Sequence, residues 1–430
     1  MGTEVTLKMG GVCIDWSKNG PGNDHGQLFQ THHQKRVTCE QLDYSYPDLP
    51  FGFVASMERS MCASIKEVFP RLELLGFTLE SIRDQYDFYV SDWEESMQRI
   101  LEPEEAEVIA SYLDFDEFCD FVRSHPLKVL DGSYDTNFVV TERFVNDKRT
   151  SRLPVNTHNA AYSETSLFGA LIGFLHPYAL IRVCAECEEN LDSEVLWNWG
   201  PVVEEGYAEE ADFQPGAGRK HAFLIATEGS SDVHIIKHAL HLLKPEIEDF
   251  FRFIDVSESH PFPGTGGLVK FADGLIKIDI QNNVIFVFDN DAEGYEAYLK
   301  IAKMPLLTNM RVMLLPELKA FESFLTKGPS GESLANINKR AAAIECYLDL
   351  TLSGYPQAKV VWTTYKKDLN AYHGALEHKE SYARAFFKQT NESILNGSYD
   401  TSKLSELLDA LIQECFAIGK NSVQRYAALE

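Results

Sequence analysis

Short-period alternation comes first along the chain. Glu4-Val5-Thr6-Leu7-Lys8-Met9 and the stretch Val12 to Trp16 carry apolar residues at alternate positions, separated by Gly10-Gly11. A period of two broken by a glycine pair predicts two short strands in a hairpin, so residues 1–45 are expected to form a small β element. From Val54 to about Asp120 the period lengthens. Val54, Met57, Met61, Ile65, Val68 and Phe69 recur at threes and fours, as on one face of a helix. Thr78 is a candidate N-cap for a helix through Tyr89, with Ser81 as an alternative start. Pro103-Glu104-Glu105 opens another helix, because Pro and acids suit a first turn. A helical pair follows from Ser163 to about Asn190, and residues 46–199 are read as a helical domain. Gly200-Pro201, the Glu204-Glu205 and Glu209-Glu210 pairs and Pro215-Gly216-Ala217-Gly218 offer little to bury, which predicts a linker over 200–220.

Beyond the linker the grammar changes. His221 to Thr227, Phe251 to Val256, Val284 to Phe288 and Arg311 to Leu315 are apolar runs of strand length. Between them lie an amphipathic stretch from Asp232 to Leu243, a helix opened by Gly264-Thr265-Gly266-Gly267 and another reaching Lys303. This order predicts an α/β domain over 221–350 with a mostly parallel sheet covered by helices. Residues 351–430 are read as a mainly helical extension, the tail being helical from about His378. The predicted fold class is thus an α+β N-terminal region followed by an α/β domain and a helical C-terminal tail.

Composition narrows the class. Of 430 residues, 44% are hydrophobic and 24% charged, the balance of a globular chain. The apolar stretch Leu167 to Ile181 falls short of the roughly 18 unbroken residues of a membrane span. His176-Pro177 interrupts it, so it reads as core helix. The N-terminus lacks a basic flank and an apolar segment, and Met1-Gly2 with Thr6 fits a myristoylation pattern only formally, since the same residues alternate as a strand. A cytoplasmic protein without membrane contact is expected. The net charge is −26, with 18 Lys+Arg against 38 Asp+Glu over residues 1–220 and 21 against 27 over 221–430. Such a chain repels phosphate backbones at long range, so contact with nucleic acid would rest on a local site, bound cations or a partner. Of eight cysteines only Cys184 and Cys187 form a Cys-x-x-Cys pair, and without a second pair they are read as packed thiols. His25, His32 and His33 lie in polar sequence and are read as a solvated loop.

Open α/β sheets bind ligands at the carboxyl ends of their strands. Glu228 closes the first apolar run of the α/β region, and Asp289, Asp291 and Glu293 close the third. Acids after strands are ordinary N-caps and turn formers. Two such motifs at strand ends of one sheet also supply the hard oxygen donors that Mg²⁺ or Mn²⁺ requires, and a divalent ion relieves their mutual repulsion. A strand ending Asp-x-Asp also fits haloacid dehalogenase phosphatases, but those place the motif on their first strand, and here Ala292 follows it. Gly264-Thr265-Gly266-Gly267 lacks the Rossmann spacing and reads as a tight turn near the site.

Glu228-Gly229-Ser230-Ser231-Asp232 with Asp289-Asn290-Asp291-Ala292-Glu293-Gly294 resembles the Toprim domain of topoisomerases, DnaG-type primases and OLD-family nucleases. The resemblance implies Glu228 as general acid/base or metal ligand, Asp289 and Asp291 as metal ligands, Glu293 in the place of the third acid, and Asp232 in the metal set. Lys339 to Leu348 looks like the late Ile-Glu-x-Tyr-Leu motif of OLD-type nucleases, which implies Glu345 as a second-metal ligand. Lys379 is carried as a further catalytic candidate, a positive charge for the scissile phosphate. Met1 to Leu7, Ser17-Lys18-Asn19, Asn23-Asp24-His25-Gly26 and Arg71 to Glu80 resemble bacterial HEPN/Toprim-associated proteins. That makes the 46–199 region HEPN-like.

The resemblance implies a nuclease using two Mg²⁺ or Mn²⁺ ions that cleaves nucleic acid in antiphage defence, DNA being favoured over RNA. An ATPase or helicase partner and a homo-oligomer formed through the HEPN-like domain go with it. The alternative is a non-cleaving or partner-activated subunit that senses nucleic acid or nucleotide. Active HEPN ribonucleases need an Arg and a His four to six residues apart; here only Arg152 and His158 fit, with Pro154 between them.

Overall fold

The computed structural model describes residues 2–100, 111–134, 142–155, 161–254, 264–367 and 371–427. They fall into two compact units, Met1–Gly218 with Ser422–Glu430 and Arg219–Asn421. In the first, β1 (Glu4–Met9) and β2 (Val12–Lys18) form the expected hairpin, with Gly10 and Gly11 both at positive φ in its turn. They do not stand alone. With β3 (Gln34–Arg36), β4 (Arg59–Ser64) and β5 (Glu194–Asn198) they make one antiparallel sheet in the order β2-β1-β5-β4-β3. The separate 1–45 element is therefore corrected: Val5, Leu7 and Met9 share one core with Met61, Val195 and Trp197. The helical period read from Val54 is corrected as well. It covers α1 (Phe51–Met57) and α2 (Ile65–Leu74), but β4 lies between them. Four consecutive buried residues, Ser60 to Ala63, hide the alternation that would have marked β4 as a strand.

The remaining α-helices among the described residues of this unit are α3 (Leu79–Ile100), α4 (Phe115–Arg123), α5 (Glu142–Val145), α6 (Glu164–Ile172), α7 (Pro177–Cys184) and α8 (Gly200–Glu204). Thr78 caps α3, its Oγ1 accepting the Ser81 N–H at 3.3 Å. The helix read from Pro103 lies outside the described residues. Among those described, no single helix is long and apolar enough to cross a membrane; α6 and α7 are bent by 111° at their break. Cys184 and Cys187 are buried free thiols. His25 and His33 are buried rather than solvated: His25 bridges Asp15 Oδ2 (2.9 Å) and the Tyr178 hydroxyl (3.1 Å). The 200–220 linker is likewise corrected. Phe213 stacks on Trp199 at 5.0 Å and meets Trp197 edge-on, and all three are buried in the core.

The second unit is built on a four-stranded parallel sheet in the order β10-β8-β6-β7, with β6 (Phe223–Thr227), β7 (Phe251–Phe253), β8 (Asn283–Phe288) and β10 (Met310–Leu314). α9 (Ser230–Leu243) leads from β6 to its neighbour β7, and α10 (Gly264–Lys277) crosses back past β6 to β8. The direction of winding reverses between β6 and β8, which makes their carboxyl ends the switch point where such sheets bind ligands. Val284 to Phe288 are all buried, as expected of a strand covered on both faces. The dipeptide strand β9 (Asn290–Asp291) leads into α11 (Ala292–Ala302).

A second sheet, in the order β12-β11-β14-β15, follows from β11 (Phe324–Gly328), β12 (Gly331–Ala335), β14 (Val360–Lys366) and β15 (Ala371–Leu376), while β13 (Ala341–Ala342) pairs with β9. The 351–430 region is thus not helical throughout. Its first part is a β-hairpin, and the helical tail consists of α12 (Lys379–Phe386), α13 (Asn391–Leu395) and α14 (Ser402–Ala427).

Candidate functional site

The site grows from backbone geometry at the switch point. Glu228 follows the last residue of β6 and Asp289 the last of β8. The chain stays extended through Asn290, so Asp289 and Asp291 share one side while Asn290 faces the other. Asn290 is fully buried there. Its amide donates to Asn338 Oδ1 (2.9 Å), and its Oδ1 accepts the Lys339 N–H (2.7 Å). Asn338 in turn is tied to the main chain of Leu318, and the Tyr347 hydroxyl donates to the Pro316 carbonyl (2.6 Å). This polar network fixes the stretch that carries Glu345, and the Ile344 N–H donates to Asp289 Oδ1 at 2.9 Å.

Asp291 caps α11, its Oδ1 accepting the N–H groups of Glu293 and Gly294, both at 2.8 Å. Gly294 is required by the close approach. A Cβ there would lie 2.2 Å from the Asp289 carbonyl oxygen and 2.8 Å from Glu228 Oε1. Asp232, in the first turn of α9, accepts the Gly229 N–H at 3.1 Å. The capping role expected of acids after strands is therefore real for Asp232 and Asp291, and it coexists with their place in a charge cluster.

Electrostatics show how crowded that cluster is. Burial, reinforced by the Asp291 charge, pushes the Glu228 carboxyl up to about 8, although the Asp289 N–H donates to it at 3.1 Å. Asp232 is pushed up to about 6 by burial and next by Glu345. Asp289 rises well above the usual carboxylate range through burial and then the charges of Asp232, Glu228, Asp291 and Glu345. Burial also raises Asp291. Lys379 Nζ lies 3.6 Å from Glu345 Oε1, and His373 Nδ1 lies 3.7 Å from Asp291 Oδ2.

The structure thus brings Glu228, Asp232, Asp289, Asp291 and Glu345 together, with Lys379 at the margin. Glu293 is placed differently. It is exposed and paired with Lys366 at 2.9 Å, which holds its carboxyl below the usual range. Lys366 and His373 were missed by the sequence reading because they sit on β14 and β15, inside the region read as helical. The signal was there in Val360-Val361-Trp362-Thr363-Thr364-Tyr365, a β-branched and aromatic run.

The donor chemistry fits a hard divalent ion: five carboxylates, few compensating cations, oxygen ligands throughout. Their oxygens are not drawn as close as those of a second group, His32, His33 and Glu67, whose ligand atoms lie within 4.8 Å of one another. That second group fits a metal poorly. His33 Nδ1 accepts the Gln30 N–H at 3.0 Å, so Nε2 carries the ring proton, whereas a ligating imidazole donates its other N–H. Arg152 is engaged structurally, its guanidinium paired with Glu117 at 2.6 Å and donating to the Ser111 and Tyr112 carbonyls. His158 lies outside the described residues.

A parallel sheet with an acidic switch point, joined to an antiparallel α+β unit, defines the class of protein. The sequence profile of HEPN/Toprim N-terminal domain 1 matches residues 1–221, and the chain belongs to that family. No curated protein and no solved structure matches it significantly. The family match ends just before β6, so the acidic cluster lies outside the matched residues.

Proposed function

We propose that the second unit is a Toprim-type, OLD-like nuclease centre that uses Mg²⁺ or Mn²⁺ to cleave phosphodiester bonds, with DNA as the favoured substrate and antiphage defence as its setting. The observation that carries this reading is the gathering of Glu228, Asp232, Asp289, Asp291 and Glu345 at the β6/β8 switch point, with the carboxyls of the first four raised by burial and neighbouring charge. Divalent ions held there by Asp289, Asp291, Asp232 and Glu345 would neutralise these carboxylates and polarise a phosphate group. Glu228, which burial and the Asp291 charge push up to about 8 before any ion binds, is the group placed to pass a proton to a leaving 3′ oxygen. Lys379 supplies positive charge beside Glu345, and Lys366 pairs with Glu293.

The test is cleavage of supercoiled plasmid and of structured RNA with Mg²⁺, Mn²⁺ or EDTA, comparing wild type with Glu228→Gln. Metal-dependent nicking reduced at least about 100-fold in the variant is expected. Absence of cleavage by the wild type with every metal would overturn the reading. The net charge of −26 favours a second one: a subunit that senses nucleic acid or nucleotide while an ATPase or helicase partner acts. It is recognised by a stable hetero-complex whose purified Toprim-type chain cleaves nothing.

A further inference from the structure

Helix α9 carries a second set of ligand-type side chains away from the acidic cluster. His234, His238 and His241 are spaced by four and three residues, so they share one face of the helix. All three line one concavity of about 420 Å³, together with Lys237, Glu248 and Phe387. A pair of histidines four apart on a helix is the spacing that presents two imidazoles to one zinc ion.

In two of the rings one nitrogen is held and the other is left over. His241 Nδ1 lies 2.9 Å from Glu248 Oε2, which leaves Nε2 for a ligand. His238 is hydrogen-bonded by the main chain of Phe386 and Gln389, and it stands edge-on to Phe386 (4.9 Å) and Phe387 (5.7 Å). Its Nε2 is buried without a hydrogen-bond partner. The residue that carries this orphaned buried nitrogen also lines the concavity, and such a nitrogen calls for a partner.

We propose that this face of α9 binds a borderline divalent ion of the Zn²⁺ or Ni²⁺ type, with His234 and His238 as the chelating pair and His241 as the third ligand. The donor nitrogens of the three rings are not drawn within 4.8 Å of one another, so closure requires side-chain rotation on the common face. Lys237 opposes a cation here and Glu248 offsets it. Nitrogen donors separate this site chemically from the oxygen-donor cluster, which suits hard ions. The inference does not depend on the nuclease reading.

Zinc binding by the full chain is measured by competition with a chromogenic chelator in excess Mg²⁺, and Co²⁺ absorption reports the donor set. About one Zn²⁺ per chain is expected at this site, with affinity falling at least about tenfold in His238→Ala and in the exposed pair His234→Ala/His241→Ala. Binding and the Co²⁺ spectrum should persist in Glu228→Gln. The proposal is overturned if the wild type takes up no Zn²⁺, if the histidine variants bind as the wild type does, or if Glu228→Gln abolishes uptake. Plasmid nicking by the wild type is scored separately, so either reading can fail without the other.

Discussion

Glu228 shows how one residue's surroundings set its chemistry. A glutamate in water ionises near 4.5; behind β6, burial and the Asp291 charge move it to about 8. The consequence for stability has a definite sign. Below the ordinary value Glu228 is protonated in both folded and unfolded chains and costs nothing. As pH rises from there, the unfolded chain releases the proton while the folded one keeps it, so folding becomes progressively less favourable up to about 8. Asp232, raised to about 6, adds to the same trend over the lower part of that window. In chelator, thermal denaturation is expected to show a melting temperature several degrees lower at pH 8 than at pH 5.5. Glu228→Gln should flatten that slope, and Mg²⁺ should recover most of the loss at pH 8. An equal slope in wild type and variant would contradict the assignment.

At the scale of elements, tertiary pairing decided what local period could not. β4 and β5 are far apart in sequence yet pair along five positions, from Ser60 with Asn198 to Ser64 with Glu194. The 200–220 stretch reads as linker by composition, but one aromatic residue anchors it. Phe213 fills a slot between Trp197 and Trp199. Phe213→Ala is therefore expected to cost about 3–5 kcal/mol in chemical denaturation of the first unit, whereas a true linker position would cost close to nothing. The hairpin β14–β15 delivers Lys366 to Glu293 and His373 to Asp291 from a region read as mainly helical.

Over the whole molecule, charge is divided unequally between the two units. The acidic excess is concentrated before residue 221, where 18 Lys+Arg face 38 Asp+Glu, while the region carrying the acidic cluster holds 21 against 27. A polyanion is thus repelled most by the unit that lacks the cluster, and its approach to the second unit depends on cations. For Glu228→Gln, fluorescence anisotropy with a labelled duplex should show little association in EDTA and at least about tenfold tighter association in millimolar Mg²⁺. Binding of equal strength in EDTA would mean that a basic surface, rather than the metal cluster, recruits the substrate.

By itself the sequence determined the βα alternation after residue 221, the strand ends at Glu228 and Asp289, and the family resemblance of the N-terminal half, because these rest on local period and short contiguous motifs. Only the tertiary structure decided how Glu345 and Asp232, which the resemblance implies, reach the acidic cluster, and that Glu293 pairs with Lys366. It likewise decided that residues 1–45 and 200–218 belong to one core with the helices between them. Such outcomes depend on strand order, on the Asn290 network that positions the Glu345 turn, and on how closely Gly294 lets α11 approach β8. All of these are contacts between residues distant in sequence, which no local period can encode.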